Sequence, residues 1–462
     1  MSEGRPSADL FLLGCGAGFS GDRTDAALPV AEHLARAGAP AAVVFEVLAE
    51  RTLALAELSR RSGGVGFEPR LRAYLEPVLG LCLQRGIRVI GNFGAADPEG
   101  AARVVAQMAC VSGWPGARIA VVEGDDLLAD EAGRALLARH APEAFAAGGP
   151  VAAHAYLGAG PLVEALRAGA DVVVTGRVAD PSLFLAPLVH AFGWSEDAWD
   201  ALAAGALAGH LLECAAQVTG GYFADPGMLD VPDLHAVGFP VAEVTREGHI
   251  TVTKPPGTGG RVDRDTVRQQ LLYEVHDPAA YVTPDVVLDL TQVEVRESGP
   301  DRVEVTGARG RPRPDRLKVL VCHEGDWLGE GEITYAGPNA LARARLALDV
   351  LRRRLPAGVR ARFDLLACSA VFAAEDGSLP GLPGLVPDDP PEVRARLAVS
   401  APTRALAQAA VDEVLALYTC GPAAGGGVRT SVRMRVHTRE AFVPREAVRT
   451  RVRVVEARHA AE

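Results

Sequence analysis

The sequence predicts an α/β protein: a mainly parallel sheet covered by helices in the N-terminal part, followed by a second α+β part rich in strands. Two observations support this prediction. Over the first 195 residues, short apolar runs alternate with longer amphipathic stretches, as strands and helices do around a parallel sheet. From about residue 220 to residue 337, glycine, proline and β-branched residues prevail, which favours short strands and turns. We therefore expect two domains, residues 1–219 and residues 220–462.

The predicted strands of the first domain are short apolar runs at residues 10–13, 42–45, 88–90, 119–122, 151–156 and 172–175. Helix-like stretches such as residues 98–110 and 160–168 lie between them. Asp97 and Pro98 begin the first of these, because aspartate caps a helix and proline suits its first position. Parallel sheets are buried on both faces, so we expect helices on both sides.

The second domain follows a helical bridge at residues 197–214. Valine-containing runs at residues 293–295 and 303–305 flank a Ser-Gly-Pro-Asp turn and predict an antiparallel pair. Residues 340–353 predict a helix, and the proline-rich residues 379–391 predict a surface loop. The glycine-rich residues 419–429 predict either a lid over a ligand or a flexible turn.

Composition limits the classes of function. The net charge of −11 argues against a nucleic-acid-binding surface, and the late arginines, several of them two apart, are interpreted as a solvated strand face. The seven cysteines include no CxxC pair, so neither a disulfide framework nor a zinc knuckle is expected. The sequence shows no secretory signal and no apolar run near the roughly 18 residues of a membrane span. We expect a cytoplasmic protein that binds neither nucleic acid nor membrane.

Polar and glycine residues follow the predicted parallel strands. Binding sites in such sheets form at the carboxyl ends of the strands, where loops converge and helix N-termini expose free amides. The candidates are Gly16, Gly18, Asp22 and Arg23 after the first strand, Glu46 and Glu50 after the second, Asn92 after the third, Asp125 and Asp126 after the fourth, and Arg177 and Asp180 after the sixth.

Each of these candidates has a structural alternative. The glycines of residues 14–21 are spaced two, two and three apart, which departs from a dinucleotide fingerprint, so contact with an anion or a simple tight turn is favoured over NAD binding. Glu46 and Glu50 are placed to act as acid and base or to hold a metal, or they form an exposed charged face. Asp125 and Asp126 are candidate ligands of a divalent metal or helix caps.

Arg177 is placed to clamp a carboxylate or phosphate, or to fix its loop through an ion pair with Asp180. Further along the chain, His210, Glu213, Cys214 and Gln217 lie within helical reach of one another. The histidine and glutamate are candidates for general acid and base, whereas the cysteine fits a small buried hydrophobic residue better than a nucleophile.

A second glycine-rich loop, residues 254–260, contains one of only two lysines in the chain. Lys254 and Thr258 in this loop suggest phosphate binding, although the loop lacks a Walker pattern.

Taken in order, these stretches resemble the acyclic terpene utilisation (AtuA) family over nearly the whole chain. The resemblance rests on GAGFSGDR at residues 16–23, FEVLAERT at 45–52, VVEGDDL at 121–127, GADVVVTGRVADPSL at 169–183, AGHLLECAAQVTGGYF at 208–223 and TKPPGTGG at 253–260. It implies a protein that works beside carboxylase, dehydrogenase and hydratase steps on branched acyl-CoA thioesters. His154 and Cys420 depart from the asparagines that the family pattern leads us to expect, and Tyr222 is a third departure.

We therefore expect an enzyme that acts on a branched or terpenoid acyl-CoA or carboxylate by acid–base chemistry of the hydratase or lyase type. Glu46, Glu50, His210 and Glu213 are the candidates for proton transfer, and the glycine loops with Arg177 or Lys254 would hold the anionic part of the substrate. No cofactor is firmly implied, a CoA thioester is the expected substrate, and a divalent metal is left open. The alternatives are a non-catalytic partner or scaffold for acyl-CoA enzymes and a tailoring enzyme of secondary metabolism, and we expect a homo-oligomer.

Overall fold

A ten-stranded sheet organises the larger part of the protein. The computed structural model describes residues 9–366 and 390–458, so nearly all of the predicted loop at residues 379–391 lies outside the described residues. The described strands, in chain order, are β1 (Leu10–Ala17), β2 (Ala41–Phe45), β3 (Arg88–Gly91), β4 (Arg118–Glu123), β5 (Ala152–Ala155), β6 (Val172–Thr175), β7 (Val241–Thr245), β8 (Ile250–Thr253), β9 (Tyr281–Val282), β10 (Val287–Asp289), β11 (Glu294–Gly299), β12 (Arg302–Thr306), β13 (Arg309–Arg311), β14 (Arg316–Ala336), β15 (Arg360–Leu366), β16 (Glu392–Ala401), β17 (Gly425–Pro444) and β18 (Arg451–Glu456).

The strand order of the large sheet is β11-β12-β8-β7-β1-β2-β3-β6-β4-β18. Its centre, from β1 to β4, is parallel, and the strands that flank this centre on both sides pair antiparallel. The predicted α/β class is therefore confirmed, with a parallel N-terminal part and strand-rich antiparallel additions. The predicted pair at residues 293–295 and 303–305 is also confirmed, because β11 and β12 are antiparallel and Val295 lies opposite Val305.

Helices cover the sheet and bury their apolar faces against it. Asp97 caps α5 by accepting a hydrogen bond from the Gly100 amide at 2.8 Å, with Pro98 at the first helical position, as predicted. The described α-helices are α1 (Ala27–Ala37), α2 (Glu50–Arg61), α3 (Leu71–Leu75), α4 (Leu79–Arg85), α5 (Pro98–Val111), α6 (Glu131–His140), α7 (Gly160–Arg167), α8 (Asp180–Phe192), α9 (Trp199–Glu213), α10 (Arg264–Leu272), α11 (Ala340–Arg354) and α12 (Arg404–Cys420).

Two details of the predicted strands are wrong. The run at residues 151–156 forms β5, but β5 lies outside the parallel sheet and pairs antiparallel with β14, with His154 opposite Leu320. No place remains for it in the parallel sheet, because β4 and β6 pair directly with each other. The first strand also extends through Ala17, since Gly14 and Gly16 lie inside it and leave room for Val30 and Phe45.

The chain forms two compact units, one comprising Met1–Cys322 with Thr438–Glu462 and the other His323–His437. Strands β7, β8, β11 and β12 belong to the first unit because they extend the same sheet as β1, so these units divide the chain at a different place from the expected boundary at residue 219. The second unit contains α11, which was predicted, and α12. In that unit, residues 419–429 form the end of α12, a short turn and the start of β17.

In the described ranges, no helix is long and apolar enough to cross a membrane.

Candidate active site

The ends of β2 and β3 are joined by a buried carboxylate–amide pair. Glu46 Oε1 accepts hydrogen bonds from the Leu48 amide at 2.9 Å and from Asn92 Nδ2 at 2.8 Å. Asn92 in turn accepts a hydrogen bond from the Val47 amide through Oδ1 at 2.7 Å. Neighbouring parallel strands end at the same edge of a sheet, so the first buried polar residues after β2 and β3 meet. Both expected candidates, Glu46 and Asn92, are therefore part of one cluster.

Arg177, in the loop after β6, is the central cation of this edge. Its guanidinium donates to the Leu48 carbonyl and, at 2.9 Å, to Asp180 Oδ1, and it stacks on the Tyr156 ring at 4.1 Å from the centroid. The side chain is only 2% exposed, and its Nε has no hydrogen-bond partner in the described part of the chain. The ion pair with Asp180 fixes the loop, which is one of the two roles expected for Arg177, while the unpartnered Nε leaves a donor for a ligand.

Glu50, at the start of α2, joins the cluster through Tyr156. The Tyr156 hydroxyl donates to Glu50 Oε1 at 2.5 Å, and Lys318 Nζ lies 3.9 Å from the same oxygen. Burial acts to raise the pKa of Glu50, but the hydrogen bond from Tyr156 and the charges of Arg177 and Lys318 outweigh it, so the pKa is lowered. Glu50 is therefore the ionised carboxylate of the group.

The end of α9 supplies a histidine–glutamate pair. His210 Nδ1 lies 3.0 Å from Glu213 Oε1, and His210 Nε2 lies 3.3 Å from the Leu271 carbonyl oxygen. Both ring nitrogens thus face acceptors. Burial of His210 acts to lower its pKa, but the hydrogen bond and the charge of Glu213 outweigh this effect, so the pKa is raised. Glu213 Oε2 is buried and lacks a hydrogen-bond partner among the described residues. Gln270 holds the helix end by donating to the His210 carbonyl at 3.0 Å.

A glycine brings this helix end against β1. A Cβ at Gly18 would lie 2.3 Å from the Glu213 carbonyl oxygen and 2.6 Å from the Ala215 nitrogen, so only glycine permits the approach. Gly18 serves this contact, and its amide donates to Asp22 Oδ2 at 2.8 Å. The pair predicted on α9 is therefore held beside the strand ends.

Three of the gathered carboxyl groups have raised pKa values. Burial raises the pKa of Glu46 and of Glu213, and burial together with the neighbouring carboxylates raises that of Asp180 well above its usual range despite Arg177. Burial acts to lower the pKa of Arg177, but Asp180 and its neighbours outweigh this effect, so the pKa of Arg177 is raised. One arginine thus faces more carboxyl groups than it can neutralise.

Two tyrosines complete the cluster and were not among the predicted site residues. Tyr156 lies two residues after His154 in an apolar run, and nothing in that run indicates a contact with Glu50. Tyr281, on β9, packs its ring against His210 at 5.1 Å between centroids. Burial raises the pKa of Tyr281 well above its usual range, with further contributions from Glu213 and Asp180. Both hydroxyls therefore remain protonated.

The loop after β1 holds its own charged residues in internal contacts. Burial raises the pKa of Asp22, which accepts the hydrogen bond from Gly18. Arg23 forms a two-point ion pair with Asp25 and donates to the Val237 carbonyl at 3.2 Å. These two predicted ligand residues therefore have internal partners.

The lysine loop of residues 254–260 is likewise closed on itself. Lys254 Nζ donates to the Thr258 carbonyl at 2.8 Å and lies 3.2 Å from Asp301 Oδ2, while the Thr258 hydroxyl donates to the Pro255 carbonyl. Burial raises the pKa of Tyr273, and the Gln217 side chain acts to lower it. Lys254 and Thr258 are thus not brought to Arg177 by any of these contacts.

At the end of β4, Asp125 and Asp126 have separate partners. Asp125 Oδ2 accepts hydrogen bonds from the Arg177 amide at 2.7 Å and lies 2.8 Å from His154 Nδ1. Asp126 accepts a hydrogen bond from the Leu128 amide at 2.8 Å, the role of a cap. Across residues 9–366 and 390–458, no three histidine, cysteine, aspartate or glutamate side chains come together as metal ligands. Asp125 and Asp126 thus have internal partners, and we assign no step to a metal.

The remaining residues singled out in the sequence lie at the surface or are protonated. Burial and the charge of Glu213 raise the pKa of Cys214, which keeps it a thiol rather than a nucleophilic thiolate. Cys420 is exposed at the end of α12 in the second unit. Tyr222 is 83% exposed, with a φ of 58°.

The fold and the site define an α/β protein with a cluster of acid–base groups at the carboxyl ends of its parallel strands. The sequence profile of the acyclic terpene utilisation family, described as acyclic terpene utilisation family protein AtuA, matches residues 11–454. The chain belongs to this family. Searches of curated proteins and of solved structures gave no match.

Proposed function

We propose that the protein is an enzyme of branched or terpenoid acyl-CoA or carboxylate metabolism that uses acid–base chemistry of the hydratase or lyase type. One observation carries this proposal: Glu46, Asp180 and Glu213, all with raised pKa values, gather around Arg177 at the strand ends. A carboxyl group with a pKa closer to neutrality exchanges protons more readily at physiological pH. Perturbed groups of this kind concentrate in catalytic sites.

In this proposal Glu213 is the general base and Glu46 the general acid. Glu213 removes a proton from the carbon next to the thioester carbonyl, and Glu46 gives a proton to the departing hydroxyl group, so that water and an unsaturated thioester are formed. His210 positions Glu213 and stabilises its charge through their 3.0 Å contact. The unpartnered Arg177 Nε donates to an oxygen of the substrate.

A non-catalytic role is the second candidate function. Residues 221–234 expose apolar side chains, with Tyr222 at 83% and Met228 at 80% exposure and with Leu229 and Leu234 also exposed. Exposed apolar surface of this kind supports contact with another protein, as expected for a scaffold of acyl-CoA enzymes. A tailoring enzyme of secondary metabolism would use the same proton-transfer groups on a different substrate. We also propose that the protein is cytoplasmic, which the cysteine usage supports, and that it forms a homo-oligomer.

The test is proton exchange rather than a complete reaction. The purified protein is incubated in D₂O with branched acyl-CoAs and with the free acids, and deuterium incorporation is followed by mass spectrometry. We expect incorporation into an acyl-CoA, and we expect Glu213→Gln to slow it by about 10²–10⁴-fold, the usual contribution of a general base.

The matched control is Glu164→Gln, at an exposed position on α7, which should exchange at the wild-type rate. Exchange that is equally fast in both variants would remove Glu213 from the mechanism. Absence of exchange with every substrate, together with association of the protein with acyl-CoA enzymes through residues 221–234, would favour the scaffold.

A further inference from the structure

A cavity of about 780 Å³ lies in the first unit, beside but apart from the Arg177 cluster. It is lined by the end of β4, the beginnings of α5 and α6, and residues 446–451. Cavities of roughly 300–1,000 Å³ are typical of small-molecule sites. Exposed Arg139, Arg449 and Arg451 also line it, so the cavity reaches solvent.

One buried polar atom in the lining lacks a partner. His154 is 1% exposed, and its Nδ1 lies 2.8 Å from Asp125 Oδ2. Asp125 is itself held by the Arg177 amide at 2.7 Å, so the imidazole is fixed with Nδ1 towards the carboxylate. His154 Nε2 has no hydrogen-bond partner in the part of the chain that the structure describes. A buried polar nitrogen in this position is costly unless a ligand or water contacts it.

The carboxylates of the lining are largely engaged in local contacts. Asp97 caps α5, Asp130 caps α6 and Asp126 accepts from the Leu128 amide. Glu99 pairs with Arg453. Each of these acidic groups thus has a local partner, and together they make the cavity wall polar.

The cationic groups of the lining are less occupied. Arg139, Arg449 and Arg451 form no ion pair within the described ranges, whereas Arg60 is paired with Glu57. Of the remaining acidic groups, Glu446 is exposed. Burial raises the pKa of Glu123, and the charges of Arg453 and Arg451 offset only part of this rise. Three uncommitted guanidinium groups at the rim and a fixed imidazole in the wall are groups that recognise an oxyanion.

We propose that this cavity is a second binding site, which takes a small ligand bearing a carboxylate or phosphate group, with His154 Nε2 bonded to an oxygen of that group and the rim arginines balancing its charge. Burial acts to lower the pKa of His154, but Asp125 and its neighbours outweigh it, so the pKa is raised. The raised pKa favours the imidazolium form, in which Nε2 donates. The proposal does not depend on the function of the Arg177 cluster.

The experiment measures binding of two probes, inorganic phosphate and isovalerate, to the full chain by calorimetry and by thermal shift. We expect one of them to bind the wild-type protein, and which one binds distinguishes a phosphate ligand from a carboxylate. His154→Asn should weaken that binding about tenfold to a hundredfold, because a hydrogen bond to a charged group is lost. The control is His190→Asn, since His190 also has a buried ring nitrogen without a partner but does not line the cavity.

A second variant, Arg451→Gln, keeps the test decisive if His154→Asn fails to fold, and it should both weaken binding and reduce its salt dependence. Binding that is equal in the wild type and in both cavity variants would overturn the proposal, as would no binding of either probe to the wild type. Glu164→Gln, at an exposed position on α7, should bind the probe as the wild type does. Loss of proton exchange in Glu213→Gln tests the proposed function, whereas loss of anion binding in His154→Asn or Arg451→Gln tests this site, so the two proposals can fail separately.

Discussion

Replacement of Arg177 by methionine tests whether one arginine controls the charges of the strand-end cluster. The guanidinium is 2% exposed and faces Asp180, Glu46 and Glu50, so the variant leaves several carboxyl groups without their cation. Removal of one partner from a buried ion pair costs about 3–5 kcal/mol. Because the Asp180 side chain is 34% exposed, water relieves part of this cost, and we expect about 3 kcal/mol near pH 8.

The loss of stability should be smaller in acid. Asp180 and Glu46 have folded-state pKa values above their unfolded values, so the folded state binds more protons and stability falls as pH rises from the unfolded pKa through the folded pKa. Arg177 opposes this rise in both groups. Without it the folded pKa values increase further, and each unit of increase adds about 1.4 kcal/mol of penalty above the new pKa and none below the unfolded pKa.

Urea unfolding of the wild type and of Arg177→Met at about pH 5.5 and about pH 8 measures this difference. The control is Arg309→Met, which removes an ion pair with Asp200. The Arg309 and Asp200 side chains are 66% and 59% exposed, so this substitution should lower the free energy of unfolding by about 0–1 kcal/mol at either pH. A loss in Arg177→Met that is the same at both pH values, or no larger than in the control, would refute the assignment of Arg177 as the shared counter-ion.

Three further variants probe the contacts around this cation. Glu213→Gln should lower the pKa of His210, measured by NMR. It should also remove the stabilisation by the ion pair, which is fully present below the histidine pKa of the unfolded state and is lost as pH rises through the histidine pKa of the folded state. Tyr156→Phe should raise the pKa of Glu50, measured by carboxyl NMR, and cost about 1 kcal/mol. Gly18→Ala should cost about 2–4 kcal/mol in urea unfolding, because its Cβ would overlap the Glu213 carbonyl oxygen.

Matched controls separate these effects from general damage. A Cβ at Gly160, on α7, meets nothing within 4 Å, so Gly160→Ala should leave stability nearly unchanged. A Gly18→Ala protein as stable as this control would mean that the approach of β1 to α9 is looser than its geometry indicates. An unchanged His210 pKa in Glu213→Gln, or an unchanged Glu50 pKa in Tyr156→Phe, would show that the respective contact does not form in solution.

The parallel core was predictable because buried parallel strands consist of continuous runs of apolar residues. Residues 172–175 form β6 with every residue buried, as this rule requires. The placement of β5 was not predictable, since its partner β14 is more than a hundred residues away and Ala155 pairs with Val319. Local periodicity reports that a strand forms but carries no information about so distant a partner.

The candidate site was predictable to the extent that it follows from sheet geometry. Glu46, Asn92 and Arg177 each come after a parallel strand, and the shared edge of the sheet brings them together. Lys254 had a suggestive glycine-rich context, but its ammonium group is bound by the Thr258 carbonyl and by Asp301, a partner that the local sequence does not reveal. Tyr281 was missed because it arrives on β9, from a part of the chain with no strand-end signal.

Asp125 is the residue that connects the two proposed sites. Its Oδ2 contacts both the Arg177 amide and the His154 ring, so one carboxylate oxygen fixes the loop of the acid–base cluster and orients the histidine of the cavity. A substitution at Asp125 would disturb both sites at once and could not assign an effect to either. Because Glu213 belongs to the cluster and Arg451 to the cavity rim, variants at these two positions can show whether a ligand in the cavity changes proton exchange at Glu213 or whether the sites act independently.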